Sequence, residues 1–139
     1  AYFDTSYVSQ LESYNFSSFL IEQLSISRES YRPTRDGYDV GLTSASDTIR
    51  MIWAYLLAML EVDRKFQTNH LGFLIFDEPR QQGAEKLSFD ALLHRAAETA
   101  ASNQQVIFAT SEDRGLLDQM LESVECNFIP FEGKILKPL

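Results

Sequence analysis

The sequence predicts a single α/β domain over residues 1–139: a mainly parallel sheet with flanking helices and antiparallel hairpins at its edges. Three observations carry this. Leu71–Phe76 and Gln105–Thr110 are short apolar runs of the kind buried as parallel strands. Between them Leu87 or Phe89, Leu92, Leu93, Ala96, Ala97 and Ala100 recur at helical spacing, so the segment is a βαβ unit. Asp36-Gly37 and Glu132-Gly133 sit between strand-like segments as hairpin turns.

The elements follow in order. Tyr7, Val8, Leu11 and Tyr14 predict a short amphipathic helix, with Asp4, Thr5 or Ser6 as caps. Leu24–Tyr31 roughly alternates and Tyr38–Leu42 follows the Asp-Gly pair, predicting a hairpin with one apolar face per strand. Ser44-Ala45-Ser46-Asp47 has the spacing of a capping box and opens a helix that runs to Val62. Ile49, Ile52, Trp53, Leu56, Leu57 and Leu60 line one face of it. Met51, Ala54, Tyr55, Ala58 and Met59 fill much of the other, so this helix is expected to be buried nearly all round. Beyond the βαβ unit, Ser111-Glu112-Asp113 caps a helix with Leu116, Leu117, Met120 and Leu121 inside. Asn127–Ile129 and Lys134–Leu136 then form a closing hairpin.

Composition removes several function classes. A chain of 139 residues can bury roughly two-thirds of the surface its unfolded form exposes. With 45% apolar residues, 6 Gly and 4 Pro it is neither disordered nor fibrous. Twelve Lys and Arg face twenty Asp and Glu, a net charge of -8, which disfavours a nucleic-acid surface driven by phosphate neutralisation. The single cysteine, Cys126, excludes an intrachain disulfide and a Cys-rich metal site and fits a cytoplasmic setting. The longest apolar run, Met51–Leu60, is about half of a membrane span, and no leader-like stretch appears. The start at Ala1 in place of Met fits a piece of a larger protein.

Two adjacent carboxylates, Asp77 and Glu78, end the first buried strand. Parallel α/β sheets hold ligands and catalytic groups at that end. Alternate side chains point to opposite sides, so the first can hold Mg²⁺ through water while the second aims at an attacking water.

Phe73-Leu74-Ile75-Phe76-Asp77-Glu78-Pro79 is similar to the Walker B strand of ABC-type ATPase heads. Ser44-Ala45-Ser46-Asp47, whose last residue lies 30 positions before Asp77, stands where their signature motif would stand, at the mouth of a long apolar helix. From Tyr38 to Leu139 the chain resembles the C-terminal lobe of such a head, of the structural-maintenance-of-chromosomes and DNA double-strand-break-repair kind. The resemblance implies half of a P-loop fold, with Asp77 as Mg²⁺ ligand and Glu78 as the catalytic group that orients water. It implies that Ser44, Ala45, Ser46 and Asp47 meet the ATP of a second head, through a serine hydroxyl and free N–H groups at a helix N-terminus. Ser111 takes the place of the switch histidine as a hydroxyl contact to nucleotide. Ala45 and Ser46 replace two glycines, which restricts close backbone approach to phosphate. Arg80–Ala84 lacks the aspartate of the D-loop, and Phe131-Glu132-Gly133-Lys134-Ile135 is similar to a terminal turn of the family.

No Gly-x-x-x-x-Gly-Lys-Ser/Thr occurs, so a Walker A lobe must cradle the phosphates from elsewhere and this chain alone is expected to be inactive. The implied cofactors are ATP and Mg²⁺. The implied partners are that lobe, a second head and, indirectly through coiled coils, DNA, with no membrane; residues 4–16 would be the helix re-entering the head. A degenerate engagement module without turnover is the alternative. A receiver-like phosphotransfer domain is disfavoured, since Gln105–Thr110 brings neither a further acid nor a lysine. His70 and His94 fall in different elements without a ligand set and read as structural or solvated. Cys126 reads as a partly buried thiol, and Arg28, Arg32 and Arg35 as a solvated hairpin face.

Overall fold

The computed structural model describes residues 1–80 and 85–133. Helix α1 (Tyr2–Ser13) leads through a 3-10 turn, Ile21–Gln23, into β1 (Leu24–Ile26), β2 (Pro33–Arg35) and β3 (Tyr38–Asp39). Then come α2 (Ala45–Phe66), β4 (Phe73–Asp77), α3 (Lys86–Ala97) with a 3-10 extension at Glu98–Ala101, β5 (Gln105–Ala109) and α4 (Arg114–Leu121). The molecule is mixed α/β. Strands β4 and β5 pair in parallel, in register from Phe73↔Gln105 to Asp77↔Ala109, with α3 as the crossover expected from the sequence. Among the described residues the parallel sheet has two strands, smaller than expected. The antiparallel strands β1-β2-β3 form a sheet of their own and not its edges.

Helix α2 organises the core. Its N-cap is Ser44, whose side chain accepts the Asp47 amide. It ends where Gln67 turns left-handed (φ 51°) and its amide donates to the Asp63 carbonyl. Trp53, Ala54, Leu57, Ala58 and Leu60 are buried, and they pack with Tyr7, Leu11 and Tyr14 of the α1 segment and Phe89 and Leu92 of α3. Burying each large side chain contributes about 1.5–3 kcal/mol. Helix α1 runs antiparallel to α2: Tyr2 meets Phe66 at one end and Tyr14 meets Trp53 nearer the other, at 5.6 and 5.9 Å between ring centroids. Ile52 and Met59 are exposed, so α2 is covered over most of its surface but not all round. Ile52 instead lines a groove of about 510 Å³ between α2 and the hairpin, with Tyr31, Val40, Met51 and Tyr55.

Three local details depart from the sequence expectation for physical reasons. Asp4 caps α1 from its third position, accepting the Ala1 amine at 2.8 Å with one carboxylate oxygen while the other accepts the Ile26 amide at 2.7 Å; Ser6 does not cap, because it is buried and donates to Glu61 at 2.5 Å. Asp36-Gly37 does turn a hairpin, both residues at positive φ, but it joins β2 to β3; a second turn at residues 27–32 joins β1 to β2. Leu87 is exposed, so the inward stripe of α3 starts at Phe89. Residues 127–129 form no strand, and Lys134–Leu136 lie outside the described residues.

The largest departure concerns β4. Its sequence is apolar on both faces, yet among the described residues only one face is covered. Leu74 and Phe76 turn to the core, where Phe76 stacks on Phe108 at 5.1 Å, while Phe73, Ile75 and Ile107 are exposed at 38%, 58% and 40%. A strand pair with this composition has one layer against it where its sequence is made for two.

Candidate functional site

The carboxyl edge of the β4–β5 pair gathers Asp77, Glu78 and Ser111. Parallel pairing puts the ends of both strands at one edge, and the Glu78 amide extends the ladder one residue further by donating to the Ala109 carbonyl at 2.7 Å. Asp77 continues the uncovered face of Phe73 and Ile75 and is exposed; Glu78 is half-buried, and Ser111, just past β5, is exposed. Glu78 has φ 45°, a left-handed backbone that costs an L-residue with a Cβ about 1–2 kcal/mol. The following residue is Pro79, which itself disfavours helical backbone at the position before it, so this turn is held by its surroundings.

Two residues past Glu78, Arg80 is paired with Glu112. Arg80 Nη1 donates to both Glu112 carboxylate oxygens at 2.8 Å and ties the loop after β4 to the loop after β5. Neither residue is among those the sequence singles out for chemistry. Arg80 falls in an irregular segment, and Glu112 in a run read only as a helix cap; Asp113 performs that capping by accepting the Leu116 amide at 3.1 Å.

The second candidate group, Ser44 to Asp47, lies at the N-terminus of α2 on a separate element. Ser44 and Ala45 are exposed, Ser46 is half-buried, and Asp47 is 1% exposed. The Ser44 hydroxyl is engaged with the Asp47 amide at 3.1 Å and lies 3.2 Å from the Ser46 hydroxyl. Half of the expected capping box is therefore present. The reciprocal half is replaced, because the Ser44 amide donates to Ser18 Oγ. The Asp47 carboxylate faces inward: it accepts Ser18 Oγ at 2.6 Å, the amides of Ser17 and Ser18 at 3.2 and 2.8 Å, and Arg50 Nη1 at 2.6 Å. Burial raises the Asp47 pKa, but these donors outweigh it and hold the carboxyl below the usual range. At this site Asp47 thus offers its helix start, while its charge is spent inside. Arg50 continues the chain to Ser88, whose hydroxyl donates to the Tyr14 carbonyl.

Magnesium is commonly held by one or two carboxylates together with phosphates and waters. Asp77, exposed at a strand end, fits as one such ligand. Among the described residues there is no group of three or more His, Cys, Asp or Glu side chains that could hold a metal without such help. His70 accepts the Gly72 amide and His94 contacts Ser123 and the Asp90 carbonyl, both structural roles. Cys126 is exposed, not partly buried. Arg35 is not solvated like Arg28 and Arg32: it donates to Gln23 and lies over the Phe19 ring at 4.1 Å. Among the described residues no helix is long and apolar enough to cross a membrane.

No family model, curated protein or solved structure matches the chain.

Proposed function

We propose that this chain is the C-terminal half of an ABC-type ATPase head whose Walker A lobe is supplied by another segment or subunit. The observation that carries the reading is the β4 strand itself. It ends in Asp77 and Glu78 at the carboxyl edge of a parallel pair and bears an apolar face, Phe73, Ile75 and Ile107, that the described residues leave exposed. An uncovered apolar face on a strand pair is the feature expected of half a domain.

In this reading Asp77 would hold Mg²⁺, which when bound would neutralise charge on the transferred phosphoryl group. Glu78 accepts a hydrogen bond and then a proton from the attacking water. The hydroxyls of Ser44 and Ser46 and the first amides of α2 face the nucleotide of a second head, where the positive end of a 22-residue helix favours an anion. Ser111, just past β5, would add a hydroxyl at the same end of the strand pair. The machine would be a coiled-coil ATPase of DNA repair or chromosome maintenance working in the cytoplasm, with DNA reached through its coiled coils.

The test is ATP turnover by the complete head, by Glu78→Gln in the same head and by this chain alone. Turnover in the complete head, none from the chain alone and a loss of roughly 10²–10⁴-fold in Glu78→Gln are expected. ATP binding without turnover would replace this reading with an engagement module, for which Ala45 and Ser46 in place of glycines are the specific observation. Absence of ATP binding would end it.

A further inference from the structure

We infer that Arg80 and Glu112 form a clasp that holds the Glu78 turn and thereby positions its carboxylate. This rests on the water-activating role proposed above for Glu78. A left-handed residue before proline persists only when its neighbours over-determine it. On its amino side Glu78 is fixed by the bond from its amide to Ala109. On its carboxyl side Pro79 is buried, and the next residue, Arg80, reaches across to Glu112.

Glu112 is a firm anchor. Its amide donates to Thr110 Oγ1 at 3.2 Å, and the adjacent Asp113 is the N-cap of α4. The two side chains are 29% and 17% exposed, shielded enough for a charge-assisted bond to exceed a surface ion pair. The segment after β4 is thus joined twice to its neighbour, by the backbone bond from Glu78 to the last residue of β5 and by the ion pair from Arg80 to the loop beyond it. Arg80 and Glu112 are positioning residues and touch no reacting atom.

Amide hydrogen exchange on this chain and ATP turnover on the complete head test the clasp in Arg80→Ala, Arg80→Lys, Glu112→Gln and the swap Arg80→Glu/Glu112→Arg. Exchange at the Glu78 amide is expected to rise about tenfold in Arg80→Ala and Glu112→Gln, while the α4 amides stay unchanged. In the same variants kcat falls about 10–100-fold with KM for ATP within about twofold, the signature of a misplaced group and not of lost binding. Arg80→Lys keeps charge without reach and loses less, and the swap, which rebuilds the pair, recovers part of kcat. Unchanged exchange at Glu78 overturns the clasp even where turnover depends on Glu78, and so does a swap that recovers nothing. Faster exchange in a head lacking Glu78-dependent turnover overturns the positioning role through failure of the proposed function.

Discussion

The Ser18 hydroxyl donates to Asp47 at 2.6 Å while accepting the Ser44 amide at 3.2 Å, so one side chain of the α1–β1 connection holds both ends of the first turn of α2. The turn that carries the candidate anion-binding hydroxyls is therefore organised from outside its own helix. Breaking a buried ion pair by removing one partner costs about 3–5 kcal/mol, and Asp47→Ala leaves Arg50, 4% exposed, without its carboxylate. Urea unfolding of Asp47→Ala should show a loss of that size. Ser18→Ala, which removes one hydroxyl from a network that keeps its other donors, should lose only about 1–2 kcal/mol.

Acid should unfold the protein partly through the same carboxyl. The folded pKa of Asp47 lies below its ordinary value of 3.8, so as pH falls the unfolded chain takes up the proton first. Its stabilising contribution is complete above 3.8 and is lost as pH falls through the folded value. Stability curves between pH 5 and pH 2 should fall less steeply in Asp47→Asn than in the parent; parallel curves would show that this group carries no linkage.

The uncovered face of β4–β5 separates folding from assembly. Because Ile75 is 58% exposed, Ile75→Glu should change the stability of this chain by no more than about 0.5 kcal/mol. In the complete head the same charge would be buried without a partner. Sedimentation of the two lobes should then show lost association with unchanged melting of this chain.

Gly72 leads into β4 at φ +67°, and a Cβ there would stand 3.3 Å from the Asn103 carbonyl oxygen. Gly72→Ala combines left-handed strain with that close contact and should cost about 1–2 kcal/mol, readable as a lower urea midpoint. Gly37 is also left-handed but has open space around it, so Gly37→Asn, a residue that tolerates this backbone, should be nearly neutral.

Period and spacing made the βαβ unit, the Ser44 start of α2 and the Asp-Gly turn legible, because each depends on residues close in sequence. The extent of the sheet was not legible. A run such as Phe73-Leu74-Ile75-Phe76 states that both faces are apolar, but not whether both coverings belong to the same chain. Residues whose partners are distant are not legible for the same reason: Ser6 looks like a cap until Glu61 claims it, and nothing local shows that Asp4, besides capping α1 at Ala1, also accepts the Ile26 amide. Asp47 looked like the second half of a capping box, and its inward turn depends on Ser17, Ser18 and Arg50. At the carboxyl edge Asp77 and Glu78 were visible as adjacent acids on an apolar strand. The Arg80–Glu112 pair was not, since its members are 32 residues apart and neither belongs to a periodic pattern.

Helix α1 and the connection after it are pinned to α2 at successive levels: Tyr2 on Phe66, Ser6 on Glu61, then beyond the helix Tyr14 on Trp53 and the Ser17 and Ser18 amides on Asp47. Glu61 is in turn gripped by Arg95 of α3 at 2.6 Å, and Gln10 bridges Ser6 to the Tyr14 hydroxyl. Sliding α1 by one turn, about 5.4 Å, would strand the Ser6, Gln10 and Asp47 polar atoms in a dry interior. The two helices are therefore locked in one register, and the segment that follows α1 ties that register to the α2 cap at Ser44.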